Sequence, residues 1–141
     1  MYWSRSLDEL HPRVAKKARA LIEQCAVEDI EIVVTCTYRD EEAGKALYAL
    51  GRTKPGRELV HEYPTRSFHM YRMAFDVCLL LYGVPIPIPR TPLERRTWLK
   101  VREIGEGLGL RWDAGAKAQI EWGHFELPEL TLAQLRAGKT L

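Results

Sequence analysis

Residues 67–82 read SFHMYRMAFDVCLLLY, and this stretch decides how the rest of the chain is expected to fold. Residues 73–82 are apolar nearly throughout, which predicts a central β-strand covered on both faces. Asp76 interrupts this strand, and a buried carboxylate is costly unless it is paired or binds a metal ion. His69 lies seven residues before Asp76, at the mouth of the strand. The stretch therefore predicts a core strand that also carries a polar site.

A second polar group lies at residues 120–127, which read IEWGHFEL and are predicted to form another strand. His124 lies in this strand, and Glu121 precedes it by three residues. Together with His69 and Asp76, His124 would complete a ligand set that suits Zn²⁺ and leaves a position open for water. Glu121 is then a candidate general base. Residue types alone leave open the alternative that both histidines are merely hydrogen-bonded structural residues.

One geometric condition follows for this second group. In a straight strand the side chains of Glu121 and His124 would point to opposite faces of the sheet. Both can face one metal ion only if the chain bends or bulges between them. Gly123 permits such a bend, so we expect a break in the strand there.

The remaining segments mix helices and strands without a repeated unit. Periodicity predicts a helix over residues 12–26 and a strand over residues 30–38. Asp40 and Gly51 mark the start and the end of a second helix, and Thr91 and Thr131 begin two further helices. Residues 52–66 read as a long loop, and residues 85–89 as an extended connector. The predicted fold is α+β, with helices packed on a small, mainly antiparallel sheet.

A capping box and a single domain are two further expectations. Ser6 and Glu9 have the spacing of a capping box for a short turn before the first helix. The length of 141 residues fits one domain, residues 1–141.

Composition and local sequence argue against several classes of partner and location. The net charge of +2 gives no indication of a nucleic-acid partner. The N-terminus has no apolar run typical of a signal peptide, and the longest apolar stretch, residues 73–88, is broken by polar residues and prolines, which argues against a membrane span. The three cysteines, Cys25, Cys36 and Cys78, form no CxxC pair and read as buried apolar residues in a reducing compartment.

The two polar groups resemble the motifs of a known family. Residues 67–76 resemble the Ser-x-His-x-x-Gly-x-Ala-x-Asp motif of the zinc D-Ala-D-Ala carboxypeptidase and L-alanyl-D-glutamate endopeptidase family. Residues 121–127 are similar to its acid-x-x-His block, and residues 37–40 (TYRD) to a third block that ends in an arginine after a strand. Residues 47–56 (LYALGRTKPG) resemble a stretch typical of its phage endolysin branch. The resemblance extends from about Ser6 to Leu127.

The resemblance implies a fold like that of Hedgehog domains and DD-peptidases, and it implies a role for each site residue. The implied zinc ligands are His69, Asp76 and His124. Glu121 would be the general base, Arg39 would hold the scissile carbonyl and its developing oxyanion, and Ser67 would support the site by hydrogen bonding. Taken without the resemblance, Arg39 fits better a residue that caps a helix or pairs with Asp40 or Glu42.

The implied activity is zinc-dependent hydrolysis of the L-alanyl-D-glutamate bond in peptidoglycan stem peptides. The implied setting is a monomeric phage or prophage endolysin, held in the host cytoplasm without a signal peptide until it is released to the cell wall. One alternative is a D-Ala-D-Ala carboxypeptidase or dipeptidase with the same zinc site. The other is a zinc-containing cell-wall-binding module that has lost catalysis.

The chain departs from the family pattern at several positions. Arg72 stands where the motif usually has glycine, and if that position needs a positive φ the arginine costs on the order of 1 kcal/mol in strain. Glu121 stands where the endolysin branch often has aspartate. Trp122 and Gly123 replace a proline-containing pair, and residues 113–117 depart from an expected Gly-Gly-Asp-Trp run.

Overall fold

The computed structural model describes residues 1–60, 67–112 and 122–141. Four α-helices occur in these ranges: α1 (Pro12–Val27), α2 (Glu41–Ala49), α3 (Pro92–Gly107) and α4 (Leu132–Arg136). Five strands accompany them: β1 (Glu31–Cys36), β2 (Ala74–Leu81), β3 (Val84–Ile86), β4 (Arg111–Trp112) and β5 (His124–Glu126). Short 3-10 turns span Leu7–Glu9 and Phe68–Tyr71. Within the described ranges, no helix has both the length and the apolar character needed to cross a membrane.

The strands form one antiparallel sheet in the order β1-β2-β5-β4, and β3 also pairs with β2. β2 is therefore central, as its apolar sequence predicts. The α+β class with a mainly antiparallel sheet is confirmed.

The prediction that β2 is covered on both faces is wrong for one of the two faces. Phe75, Val77 and Leu79 are buried, whereas the alternate residues Asp76 and Cys78 are only partly buried. Because side chains alternate along a strand, the first set lies on one face and the second set on the other. The second face of β2 is left partly open, and Asp76 lies on it.

The core lies on the covered face, between the sheet and helices α1 and α3. Phe75 of β2 stacks on Phe125 of β5 with ring centroids 5.8 Å apart, and both are fully buried. α3 contributes Trp98 and Val101, which are also fully buried. Burial of one such apolar side chain contributes roughly 1.5–3 kcal/mol. This core holds β2 and β5 in a fixed register.

Three helices begin after the capping residues that the sequence predicts. The side chains of Asp40, Thr91 and Thr131 accept backbone N–H bonds in the first turns of α2, α3 and α4. The Ser6–Glu9 capping box is wrong: Ser6 accepts from the backbone N–H of Asp8, whereas the Glu9 carboxylate binds a distant arginine. A long-range charged partner has outcompeted the local cap.

Part of the expected connector after β2 is a strand. Tyr82 and Gly83 both have positive φ, 52° and 78°, as a two-residue type I′ hairpin turn requires. The turn folds β3 back on β2, so the first residues of the proline-rich segment 85–89 pair with the sheet. Pro85 is tolerated because β3 is short and lies at the sheet edge.

Two glycines of α3 give a stability test of the core. A Cβ on Gly105 would lie 2.5 Å from the buried Phe125 ring, whereas a Cβ on Gly107 meets nothing within 4 Å. We expect Gly105→Ala to lower the free energy of unfolding by about 1–3 kcal/mol, because the packed ring cannot yield without strain. Gly107→Ala should leave it unchanged or raise it by up to about 1 kcal/mol through helix propensity. Urea unfolding of both variants measures the difference, and equal effects would contradict this packing.

Candidate metal centre

The 3-10 turn before β2 positions His69. The Ser67 hydroxyl accepts the backbone N–H of His69 at 3.3 Å and so caps the turn. Arg72 ends the turn with φ 63° and ψ 23°, in the left-handed region that the motif glycine suggests. Its guanidinium donates to the Glu9 backbone carbonyl oxygen at 2.8 Å and lies 4.0 Å from the ring centroid of Tyr38. These contacts offset the strain that an arginine brings to this position.

Cross-strand register brings the polar residues together. Asp76 is the Cα partner of Cys36 in β1 and of His124 in β5. Residues directly opposite each other in neighbouring strands project from the same face of a sheet. The three side chains therefore form a row across β1, β2 and β5, on the partly open face.

Two imidazoles converge on one oxygen of Asp76. Oδ1 lies 3.0 Å from Nε2 of His69 and 3.1 Å from Nδ1 of His124. The ring centroids of the two histidines are 5.1 Å apart. His69 and His124 are buried, and Asp76 is partly exposed to the cavity beside it. Asp76 thus joins the two histidines, and the set of donor atoms that all lie within 4.8 Å of one another is Cys36, His69 and Asp76.

Each imidazole is held on its far side by an acceptor. Nδ1 of His69 lies 2.8 Å from the backbone oxygen of Thr37, and Nε2 of His124 lies 2.8 Å from Oε1 of Glu126. Glu126 is buried and also accepts a hydrogen bond from Nε of Arg111 at 3.0 Å. Such partners fix the tautomer and the orientation of metal-binding histidines.

The donor set fits a metal ion. Because the Thr37 carbonyl oxygen can only accept, Nδ1 of His69 carries the ring proton and Nε2 is left with a lone pair. That lone pair faces the Asp76 carboxylate oxygen at 3.0 Å, which also only accepts. A cation between them resolves the conflict, and two imidazole nitrogens with one carboxylate oxygen are ligands that Zn²⁺ prefers.

Charge within the cluster is divided unequally. Burial alone would raise the pKa of Asp76, but His69 and His124 outweigh it and hold the pKa of this carboxyl well below its usual range. Burial lowers the pKa of His69. Burial would also lower the pKa of His124, yet hydrogen bonds to the carboxylates of Asp76 and Glu126 outweigh it and hold that pKa well above its ordinary value. Without a metal ion, His124 therefore carries the positive charge.

The chain breaks before β5, as the geometric condition requires. β5 begins at His124, and Trp122 and Gly123 lie in a turn, so the strand predicted over residues 120–127 is shorter than expected. A Cβ on Gly123 would lie 1.8 Å from the Val77 carbonyl oxygen, and Val77 donates its N–H to Gly123 at 3.0 Å. Only glycine fits this close approach to β2. Glu121, the expected base, lies outside the described residues.

Arg39 lies just beyond β1 and lines the larger cavity beside Cys36 and Asp76. Its Nη2 donates to the Ser67 hydroxyl oxygen at 3.2 Å, and both residues are buried. The N-terminal segment supports this stretch, because Ser4 donates its backbone N–H to Tyr38 at 2.8 Å. Arg39 and Ser67 are thus held next to the cluster.

Two cavities meet at Asp76. The larger, about 600 Å³, lies between β1 and the apolar face of α2 and is also lined by Cys36 and Arg39. The smaller, about 200 Å³, is lined by Trp122, Gly123 and His124, among others. Asp76 lines both, so together they form a cleft with the candidate metal centre between its two halves.

Three contributors to this centre are absent from the sequence-based prediction. Glu126 is two residues from His124, and the alternation of a strand places it on the same face. Cys36 needs the register of β1 against β2 to be recognised. The Thr37 contact is made by the backbone, so no side-chain pattern indicates it.

Comparisons with known proteins agree with this geometry. Models of known protein families gave no match. The peptidoglycan L-alanyl-D-glutamate endopeptidase CwlK of Bacillus subtilis is 30% identical over 123 residues, which cover 84% of this chain and 74% of CwlK. The chain belongs to the zinc peptidoglycan peptidase family. It is therefore a zinc metallopeptidase, with Zn²⁺ as its cofactor.

Solved structures share the fold at low sequence identity. The L-Ala D-Glu endopeptidase ChiX of Serratia marcescens matches with a TM-score of 0.60 and 17% identity, covering 89% of this chain and 88% of ChiX. The vancomycin resistance D,D-pentapeptidase VanY, solved in complex with Zn(II), matches with a TM-score of 0.62 and 12% identity, covering 96% of this chain and 89% of VanY. The DD-peptidase-like fold implied by the resemblance is confirmed.

The raised pKa of His124 makes a prediction about metal binding. A histidine binds zinc only in its neutral form, so zinc must displace the proton that His124 holds. Near neutral pH we expect at least about one proton to be released per zinc bound, and the affinity to fall as the pH falls. Calorimetric titration of the metal-free protein in two buffers of different ionisation enthalpy measures this release. A binding enthalpy independent of the buffer would contradict a protonated His124.

Proposed function

We propose that this zinc peptidase hydrolyses the L-alanyl-D-glutamate bond of peptidoglycan stem peptides, with His69, Asp76 and His124 as the zinc ligands. The observation that carries the proposal is the convergence of these three donors at the middle of a two-sided cleft. The names of CwlK and ChiX, both L-alanyl-D-glutamate endopeptidases, support the choice of bond.

Zinc and the residues around it have separate roles in the proposed reaction. Bound zinc would polarise the scissile carbonyl and lower the pKa of a bound water molecule towards about 7. Glu126 and Thr37 keep the two imidazoles oriented towards the metal position. We assign to Glu121 the role of general base, which takes a proton from the attacking water and gives it to the leaving amine. That assignment rests on the motif resemblance and on its distance of three residues from His124.

Arg39 is proposed to bind the carbonyl oxygen and the negative charge that develops on it. Ser67 is the one side-chain hydrogen-bond acceptor found for Arg39 among the described residues. The guanidinium has five N–H donors, so this bond orients it and leaves donors for a substrate oxygen. A buried, pre-oriented cation of this kind stabilises an oxyanion without reorganisation during the reaction.

The shape of the cleft supports an endopeptidase over a carboxypeptidase. An endopeptidase must hold a peptide on both sides of the bond it cuts, and space is present on both sides of Asp76. A carboxypeptidase needs a further cation for the terminal carboxylate of its substrate. Among the described residues that line the two cavities, Arg39 is the only lysine or arginine. The similarity to VanY keeps the D,D-peptidase activity as the alternative to be tested.

An endolysin role is the remaining part of the proposal. It rests on residues 47–56, which resemble a stretch of the phage endolysin branch and include Leu47 and Leu50 in the lining of the larger cavity. A monomeric enzyme of this kind would stay in the host cytoplasm until a membrane pore gives it access to the cell wall.

Product analysis tests the bond. We expect digestion of purified peptidoglycan to yield stem peptides cut after L-Ala, each with a matching new D-Glu amino terminus, by mass spectrometry. A chelator should abolish the products, and added zinc should restore them, because the reaction depends on the zinc ion that the three ligands hold. Release of terminal D-Ala instead would identify a D,D-carboxypeptidase. Zinc binding without any cleavage would identify a wall-binding module.

Replacement of Arg39 tests its proposed role. Loss of one oxyanion partner typically lowers the rate by about 10²–10³-fold, so Arg39→Ala should lose activity to this extent while its zinc content stays the same. Steady-state kinetics on a stem-peptide substrate and metal analysis measure the two quantities. Arg95→Ala, on the exposed side of α3, is the control and should behave as wild type. Loss of zinc together with activity would mean that Arg39 has a structural role instead.

A further inference from the structure

A cysteine belongs to the row of side chains at the metal centre. Cys36 is the last residue of β1, and its Cα partner in β2 is Asp76. Its Sγ, a ring nitrogen of His69 and a carboxylate oxygen of Asp76 all lie within 4.8 Å of one another. Cys36 is 8% exposed, and the surface it retains faces the larger cavity beside Asp76 and Arg39.

The local register of β1 gives Cys36 this place. The pairing of β1 with β2 shifts between Val34 and Cys36, which is the signature of a β-bulge. Such a bulge changes the direction of the side chains that follow it. No hydrogen-bond acceptor is found for the Cys36 thiol within the described ranges, whereas the Cys78 thiol donates to the Leu79 carbonyl oxygen at 3.5 Å. Cys36 therefore has no evident structural partner, although it is almost fully buried.

The distances suit a shared metal ion. Donor atoms around one tetrahedral zinc lie roughly 3.3–3.8 Å apart, because the zinc–ligand bonds are about 2.0–2.3 Å long. The Cys36 sulfur lies within 4.8 Å of two proposed ligands, so a small side-chain rotation brings it to that separation. Thiolate is a soft donor that favours zinc and other transition metals over magnesium and calcium.

We propose that Cys36 is a fourth protein ligand of the metal in the substrate-free enzyme. The inference rests on the proposed site of His69, Asp76 and His124. On binding, the thiol loses its proton to solvent and the sulfur forms a bond to the metal. Four protein donors make a closed site, whereas catalysis needs an open position. The metal–sulfur bond must therefore break before a substrate is cut, with water or the substrate taking the vacated position and the thiolate regaining a proton from solvent, so that Cys36 keeps the site of the resting enzyme closed.

Cobalt substitution of the full chain tests this assignment. Co²⁺ in a site with a thiolate ligand shows a sulfur-to-metal charge-transfer band in the near ultraviolet, in addition to visible bands from any tetrahedral site. We expect both in the wild type. In Cys36→Ser the near-ultraviolet band should disappear and the visible bands should remain, which also shows that the variant is folded.

Cys78→Ser is the matched control. Cys78 is two residues from Asp76 on the same face of β2 and lines the smaller cavity, so it is the nearest other thiol by position in the sheet. The control should keep both sets of bands. Chelator competition should show that Cys36→Ser binds Co²⁺ at least about tenfold more weakly, since even residues that only orient a ligand typically contribute 10–100-fold.

The outcomes separate the two proposals. Visible bands without a near-ultraviolet band in the wild type would overturn the role of Cys36 and leave the histidine and aspartate ligands in place. A near-ultraviolet band that persists in Cys36→Ser would also overturn it. Absence of any bound Co²⁺ would overturn the proposed metal site together with its fourth ligand.

Discussion

The Asp76 carboxylate, held between the imidazoles of His69 and His124, is the interaction on which the rest of the site depends. It exists only because β2 pairs in one register with β5 on one side and with β1 on the other. A slip of one residue would turn Asp76 towards the helices and bring an apolar side chain to the site. The hydrophobic core prevents this slip, because Phe75 and Val77 must stay buried.

Alternate residues of β2 thus contribute to the hydrophobic core and to the candidate metal centre. The buried set faces α1 and α3, and the partly buried set faces the cleft. Outer partners then remove the remaining freedom of the imidazoles: a backbone carbonyl for His69 and a buried carboxylate for His124. These groups also shift the pKa values of the imidazoles: burial lowers the pKa of His69, whereas at His124 the carboxylates of Asp76 and Glu126 outweigh burial and raise the pKa.

Departures from the family motif have local explanations. Arg72 adopts the left-handed conformation expected of a glycine, and its contacts with Glu9 and Tyr38 compensate for the strain. Gly123, in place of the usual proline-containing pair, lets the chain lie directly against Val77. Neither change disturbs the ligand geometry, because both lie outside the row of donors across the sheet.

The sequence by itself determined the central strand, the helix starts at Asp40, Thr91 and Thr131, and the family. Each of these depends on local periodicity, on a capping side chain or on motif spacing. The family resemblance predicts His69, Asp76 and His124 as ligands, and this ligand set remains a proposal together with the roles of Arg39, Ser67 and Glu121.

The tertiary structure decided what no local pattern encodes. It showed the open face of β2, the pairing of β3, the long-range partner of Glu9, and the places of Cys36 and Glu126 at the centre. All of these depend on which residues of distant strands lie opposite each other. That register is set by packing of the whole core, because local preferences do not specify which strands pair or where a bulge shifts them.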